Sequence, residues 1–149
     1  GKTVIEKYRN IFQQEGFIPA VITDKENLVL PGERVVILGV VGVLATLYWQ
    51  GQVAYIGGGF SKGIHNVMEP AIARLPVLFG PRHQHFQEAE ELLQSGGGFA
   101  IHSGEEFKNS CELLFTQEDH FLKSSLAATE VIHRNLGSAT RIVRSLIRD

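Results

Sequence analysis

Residues 55–80, YIGGGFSKGIHNVMEPAIARLPVLFG, place glycines, a lysine, a histidine, an asparagine and a glutamate in one short span. Their chemistry is that of anion and hydroxyl recognition. Gly57, Gly58 and Gly59 leave the main chain open because no Cβ screens it. Lys62 adds a cation, and the ring N–H of His65 can meet a phosphate or a sugar carboxylate or, equally, order the turn. The span must be held by a β-branched and aromatic strand, Val53 to Ile56, that empties into the glycines. The spacing then predicts a helix from about Ile64 or Asn66 to Arg74 and a second strand, Pro76 to Phe79. The first turn of such a helix carries unpaired N–H groups and roughly half a positive charge, aimed back at the glycine turn.

Two better-known phosphate motifs do not fit. Counting from Gly57 and Gly59, a dinucleotide fingerprint needs its third glycine at Lys62, and Gly63 comes one residue late. Gly58 and Gly63 have the glycine spacing of a Walker A loop, but Ile64 and His65 stand where Lys and Ser or Thr are required. ATP hydrolysis is therefore unsupported. Asn66-Val-Met-Glu69-Pro70 carries two readings that can overlap on one helix start. As a capping box, Asn66 accepts from the third helical N–H and Glu69 reaches back to the cap, with Pro70 near the end of the first turn. As a binding element, Glu69 takes ribose hydroxyls while Asn66 and the neighbouring N–H groups face a phosphate.

GGGFSKGIHNVMEPA followed by PVLFGPRHQHFQEAEELLQSGGGFAI resembles the carboxy-terminal domain of the 3-deoxy-D-manno-octulosonic acid (Kdo) transferases, from about Gly32 onward. The resemblance implies an α/β fold: a Rossmann-like parallel sheet flanked by helices, the second half of a GT-B glycosyltransferase. It implies a substrate, CMP-Kdo, with no cofactor and no metal. The implied acceptor is a lipid A precursor of lipopolysaccharide, engaged with the membrane through an amino-terminal domain at the cytoplasmic face of the bacterial inner membrane. The catalytic carboxylate belongs to that other domain, so this chain alone is expected to be inactive. Donor contacts fall on Gly57, Gly58, Gly59, Phe60, Ser61, Lys62, Gly63, His65, Asn66 and Glu69. Pro81 and Arg82 join them in the loop below the nucleotide, where the family varies at the position of Arg82. The family's D-N/T-x-G turn is altered here, with Gly39 and Val40 at its acidic and polar positions. Two other readings share the local chemistry: a free-standing nucleotide-binding module, and a GT-B enzyme using another sugar nucleotide.

At 149 residues the chain is the size of one domain, and the absence of an initiator Met or leader suggests part of a longer protein. A net charge of −2, from 14 basic and 16 acidic residues, provides no broad basic footprint for nucleic acid. The single Cys111 excludes a disulfide framework and reads as a small buried hydrophobe. The uncharged run Val35 to Trp49 is shorter than the roughly 20 residues of a spanning helix and is broken by Gly39 and Gly42. It reads as a strand, Arg34 to Leu38, then a helix from about Val41 to Gln50.

The remaining segments alternate as a parallel α/β sheet requires. Thr3 to Gln14 reads as a helix with Val4, Tyr8, Ile11 and Phe12 on its apolar stripe, and Phe17 to Ile22 as a strand. Gln84 to Gln94 is helical, Phe99 to His102 a strand and Glu105 to Phe115 a helix. Two helices, Gln117 to His133 and Leu136 to Ile147, are separated near Gly137. Arg134, Arg141, Arg144 and Arg148 read as a solvated face. His83 and His85 have the spacing of a metal pair without further ligands nearby, and His102, His120 and His133 have no chemical context.

Overall fold

The computed structural model describes residues 1–26 and 34–148, with 138–148 described as backbone only. The chain forms two compact units, Gly1–Leu44 and Ala45–Asp149. In the first, helix α1 (Lys2–Gln14) precedes two short parallel strands, β1 (Ala20–Ile22) and β2 (Val36–Leu38), paired Ala20 to Val36 through Ile22 to Leu38. The expected apolar stripe of α1 is displaced. Val4, Tyr8 and Ile11 are exposed, whereas Phe12 packs edge-on against Phe17 and Ile5 reaches toward Gly39. Phe17 also lies beneath the Arg34 guanidinium, 5.4 Å from its ring centroid.

Helix α2 (Leu44–Tyr48) crosses the boundary in sequence and is shorter than the predicted Val41–Gln50. Gly42, at φ +82°, holds the chain out of helical geometry just before it. The second unit carries a parallel sheet ordered β3 (Ala54–Ile56), β4 (Val77–Phe79), β5 (Gly98–Ala100). Its helices are α3 (Met68–Ile72), α4 (Gln87–Ser95), α5 (Gly104–Thr116) and α6 (Glu118–Arg148).

The central strand is buried on both faces, which explains its unbroken apolar run. Val77 and Phe79 join Ile56, Ala71, Leu92, Ala128 and Val131 in the main core under α3, α4 and α6. Leu78 points the other way, to Ile101 and Leu114 beneath α5. The unit is thus a three-layer α/β/α sandwich, as expected for a Rossmann-like half. Cys111 packs beside this second cluster, half-buried, and burial pushes its thiol pKa up.

Three helix boundaries depart from expectation. The motif helix is a single turn, because the Ile64 and His65 N–H groups are bonded to Arg82 and Gly57, the Asn66 side chain takes the Met68 N–H, and Arg74 adopts a left-handed φ of +66° just past its end. Ser125 of α6 donates to the Arg74 carbonyl and holds that turn. The two predicted terminal helices are one, since a lone glycine costs a helix only about 1 kcal/mol and Gly137 has no proline beside it. Arg134 is exposed, as predicted for a solvated face, while the side chains of Arg141, Arg144 and Arg148 lie outside the described residues. Among the described residues no helix is long and apolar enough to cross a membrane.

Candidate functional site

In a parallel sheet the loops leaving the carboxyl ends of the strands form the binding edge. Here those loops are 57–67 after β3 and 80–86 after β4. The glycine turn is built around its own carbonyls. The Gly58 oxygen accepts from the Ser61 N–H, the Gly63 N–H and the Ser61 hydroxyl at 3.0–3.2 Å. The Gly57 oxygen accepts from the His65 N–H and the Gly59 oxygen from the Arg82 N–H. With all three carbonyls engaged inward, the N–H groups of Gly58, Gly59 and Phe60 donate to no protein acceptor among the described residues.

This geometry sorts the expected donor contacts. The N–H groups of Ser61, Gly63, Ile64 and His65 are used within the protein and are not free for a phosphate. Those of Gly58, Gly59, Phe60, Lys62, Asn66 and Val67 are not so used among the described residues. The glycines serve the fold as well as access. Gly58 sits at φ +92°, and a Cβ there would lie 2.2 Å from the Gly63 oxygen. A Cβ on Gly59 would lie 2.5 Å from the Gly80 main chain, so the two loops touch backbone to backbone.

Lys62 is exposed on the turn, and Phe60 is 54% exposed beside it. Arg82 is the staple between the loops: its N–H bonds Gly59, its carbonyl accepts from Ile64, and its guanidinium donates to the Ser61 carbonyl. Pro81 is half-buried and accepts from the His83 N–H. His65 is exposed, with its ring carbon Cδ2 lying over Gly57 and Gly58 and its ring nitrogens unpartnered among the described residues.

The expected capping box does not form at α3. Asn66 Oδ1 accepts from the Met68 N–H at 2.8 Å, an Asx turn one step ahead of the helix, and Val67 is the cap. A side-chain cap forms instead at α5, where Ser103 accepts from the Glu106 N–H and the Glu106 carboxylate takes the N–H of His102, one residue before the cap. Glu69 is left exposed at the start of α3. Burial, and after it the Glu69 negative charge, raise the hydroxyl pKa of Tyr48 in α2.

Sequence reasoning missed two side chains. A cleft of about 320 Å³ opens between residues 64–68 and the start of α4, lined by His65 and Asn66 on one wall and by Phe86 and Glu88 on the other. Phe86 follows the loop 80–85, and its ring packs close to Gly63, 3.2 Å from where a Cβ would be. An aromatic just before a helix start was its only trace in the sequence. His83 is bonded through Nδ1 to Glu90 and packs edge-on to Phe79, so it braces the loop from beneath. Among the described residues no three His, Cys, Asp or Glu side chains gather as metal ligands. In the first unit, a separate cleft of about 500 Å³ lies beyond β1 and β2, lined by residues 23–26 and 39–41.

No family model matches the chain. A bifunctional glycosyltransferase/methyltransferase of Fusobacterium nucleatum is 26% identical over 97% of this chain and 23% of its own length. A 3-deoxy-D-manno-octulosonic acid transferase of Chlamydia pneumoniae is 33% identical over 57% of this chain and 20% of its own. Over about half of its length the chain is similar to Kdo transferases. It spans about a fifth of the length of these curated relatives. The fold agrees: the C-terminal CMP-Kdo binding domain of WaaA from Acinetobacter baumannii superposes with a TM-score of 0.71. That match has 19% identity and covers 85% of this chain and 67% of that one. The fold is therefore α/β, a parallel sheet flanked by helices as in that domain.

Proposed function

We propose that the chain is the donor-binding domain of a glycosyltransferase that moves Kdo from CMP-Kdo to a lipid A precursor in lipopolysaccharide synthesis. The observation that carries this reading is the turn at Gly58–Phe60, whose N–H groups meet no protein acceptor among the described residues, set at the carboxyl edge of a parallel sheet in a chain similar to the Kdo transferases. Transfer breaks the bond between the anomeric carbon and a phosphate oxygen, leaving positive character on the sugar and negative charge on the departing CMP. Preformed N–H dipoles, with the Lys62 ammonium beside them, stabilise that charge without reorganising during the reaction. Glu69 takes the ribose hydroxyls. Asn66 orders the backbone through its turn to Met68, and Arg82 holds the two loops at the spacing the donor requires.

The base that activates the acceptor hydroxyl is assigned to an amino-terminal domain, together with lipid A contact and attachment at the cytoplasmic face of the inner membrane. The donor is a substrate, and the reaction as assigned requires no cofactor. Calorimetric titration of the protein with CMP, UMP and AMP tests the reading. Selective binding of CMP supports it, and preference for UMP or AMP moves the assignment to another nucleotide-dependent protein.

A further inference from the structure

Beside the amide turn lies a cleft whose chemistry is not that of a phosphate site. Glu88 contributes a carboxylate with no hydrogen bond or ion pair among the described residues. A phosphate or sugar carboxylate placed against it would meet like charge, which disfavours both ionised groups. A carboxylate is instead a strong acceptor for hydroxyl groups. Phe86 presents an apolar ring, 37% exposed, held in place by its own N–H to the His83 carbonyl and by the gap at Gly63. Across the cleft stand the unpartnered imidazole of His65 and the Asn66 amide, which can donate or accept at a hydroxyl. A carboxylate and an imidazole around an aromatic face match a polyhydroxylated chain, whose hydroxyls need partners and whose C–H surface needs cover.

Building on the donor-domain reading, we propose that the cleft between Ile64–Met68 and Phe86 holds the hydroxyl-bearing tail of the donor's sugar. Glu88 accepts from the hydroxyls and Phe86 covers the C–H face. The charged end of the donor then points away from Glu88, toward the amides of Gly58–Phe60, so the same carboxylate sets the direction in which the sugar lies. Phe86 and Glu88 distinguish an extended polyol from a compact sugar.

The test compares CMP with CMP-Kdo, each titrated by calorimetry into the protein and into its Glu88→Gln, Phe86→Ala and Phe86→Tyr variants. The sugar should make CMP-Kdo bind more tightly than CMP. Glu88→Gln and Phe86→Ala should each cut that advantage by about tenfold, as loss of a charged hydrogen bond or an aromatic face implies, with CMP affinity within about twofold of the parent. Phe86→Tyr, which keeps the ring, should restore it. An undiminished advantage in Glu88→Gln, a surface change that leaves the core intact, overturns the subsite while the donor-domain reading stands. Equal loss for CMP and CMP-Kdo also overturns it, because the residues then serve the nucleotide or the loop. Failure of the parent protein to bind either ligand removes the donor-domain reading and the subsite together.

Discussion

The sequence Gly-Gly-Gly-Phe occurs twice, at 57–60 and at 96–99, and the two copies do opposite work. The first leaves the carboxyl end of β3, and its carbonyls are bonded within the protein while the N–H groups of Gly58, Gly59 and Phe60 stay unspent among the described residues. The second enters the amino end of β5 and is sealed. Gly96, at φ +90°, closes α4, and the N–H groups of Gly96 and Gly97 both return to the Leu92 carbonyl. The Gly97 carbonyl accepts from Val77, and its Cα faces the α6 backbone at Ala128. Identical residues therefore leave an open turn where the strand ends and build a packing joint where it begins. The direction of a parallel strand decides which end is open.

Gly97→Ala should break the joint most severely. The added Cβ falls 2.6 Å from the Ala128 nitrogen, where a helix backbone cannot yield, and a loss of about 3 kcal/mol is expected in denaturant unfolding. The folded fraction should keep its CMP affinity, and selective loss of binding would contradict the division between the two runs. Gly58→Ala should show the converse. Its strained φ and the Gly63 oxygen cost roughly 1–3 kcal/mol of stability, and the displaced turn should lose at least about tenfold in CMP affinity.

Glu69→Ala should weaken CMP binding by roughly 1–3 kcal/mol if the carboxylate holds ribose hydroxyls, with unfolding changed by less than about 0.5 kcal/mol. Unchanged affinity in this folded variant would remove Glu69 from the site. Ser103→Ala, just past β5, should cost about 1 kcal/mol by loss of the α5 cap and leave CMP affinity alone. The smallest effect concerns Glu106, whose pKa is held below the ordinary carboxylate range mainly by the His102 N–H, then by the His102 ring. A depressed carboxylate stabilises the fold above its unfolded pKa and loses that contribution as pH falls through the lowered folded value. Glu106→Gln should flatten the acid limb of the stability profile slightly, and an identical profile would mean the bond is made equally in the unfolded chain.

The helix-strand alternation was legible because each strand is a short apolar run and each helix repeats its apolar residues on one face. Val77–Phe79 announces a central strand by having no polar side. The start of α3 was misread because Asn66 and Glu69 have the spacing of a capping box, and spacing does not reveal that the His65 and Ile64 N–H groups are already committed to Gly57 and Arg82. The stripe of α1 was misassigned because Ile5 competes with Val4 and Tyr8 for the inner face and wins through its contact toward Gly39. Phe86 and Glu88 were illegible as site residues, since their partners lie some twenty positions away along the chain.

Residue order alone determined the parallel α/β plan, the glycine turn after β3 and the resemblance to the Kdo transferases, because these rest on local patterns of side-chain type. Only the tertiary structure decided which amides of that turn remain open, that Arg82 staples it to the next loop, and that Phe86 faces His65. Those outcomes depend on hydrogen bonds and contacts between loops that the sheet brings together, and no local pattern records which donor reaches which acceptor first.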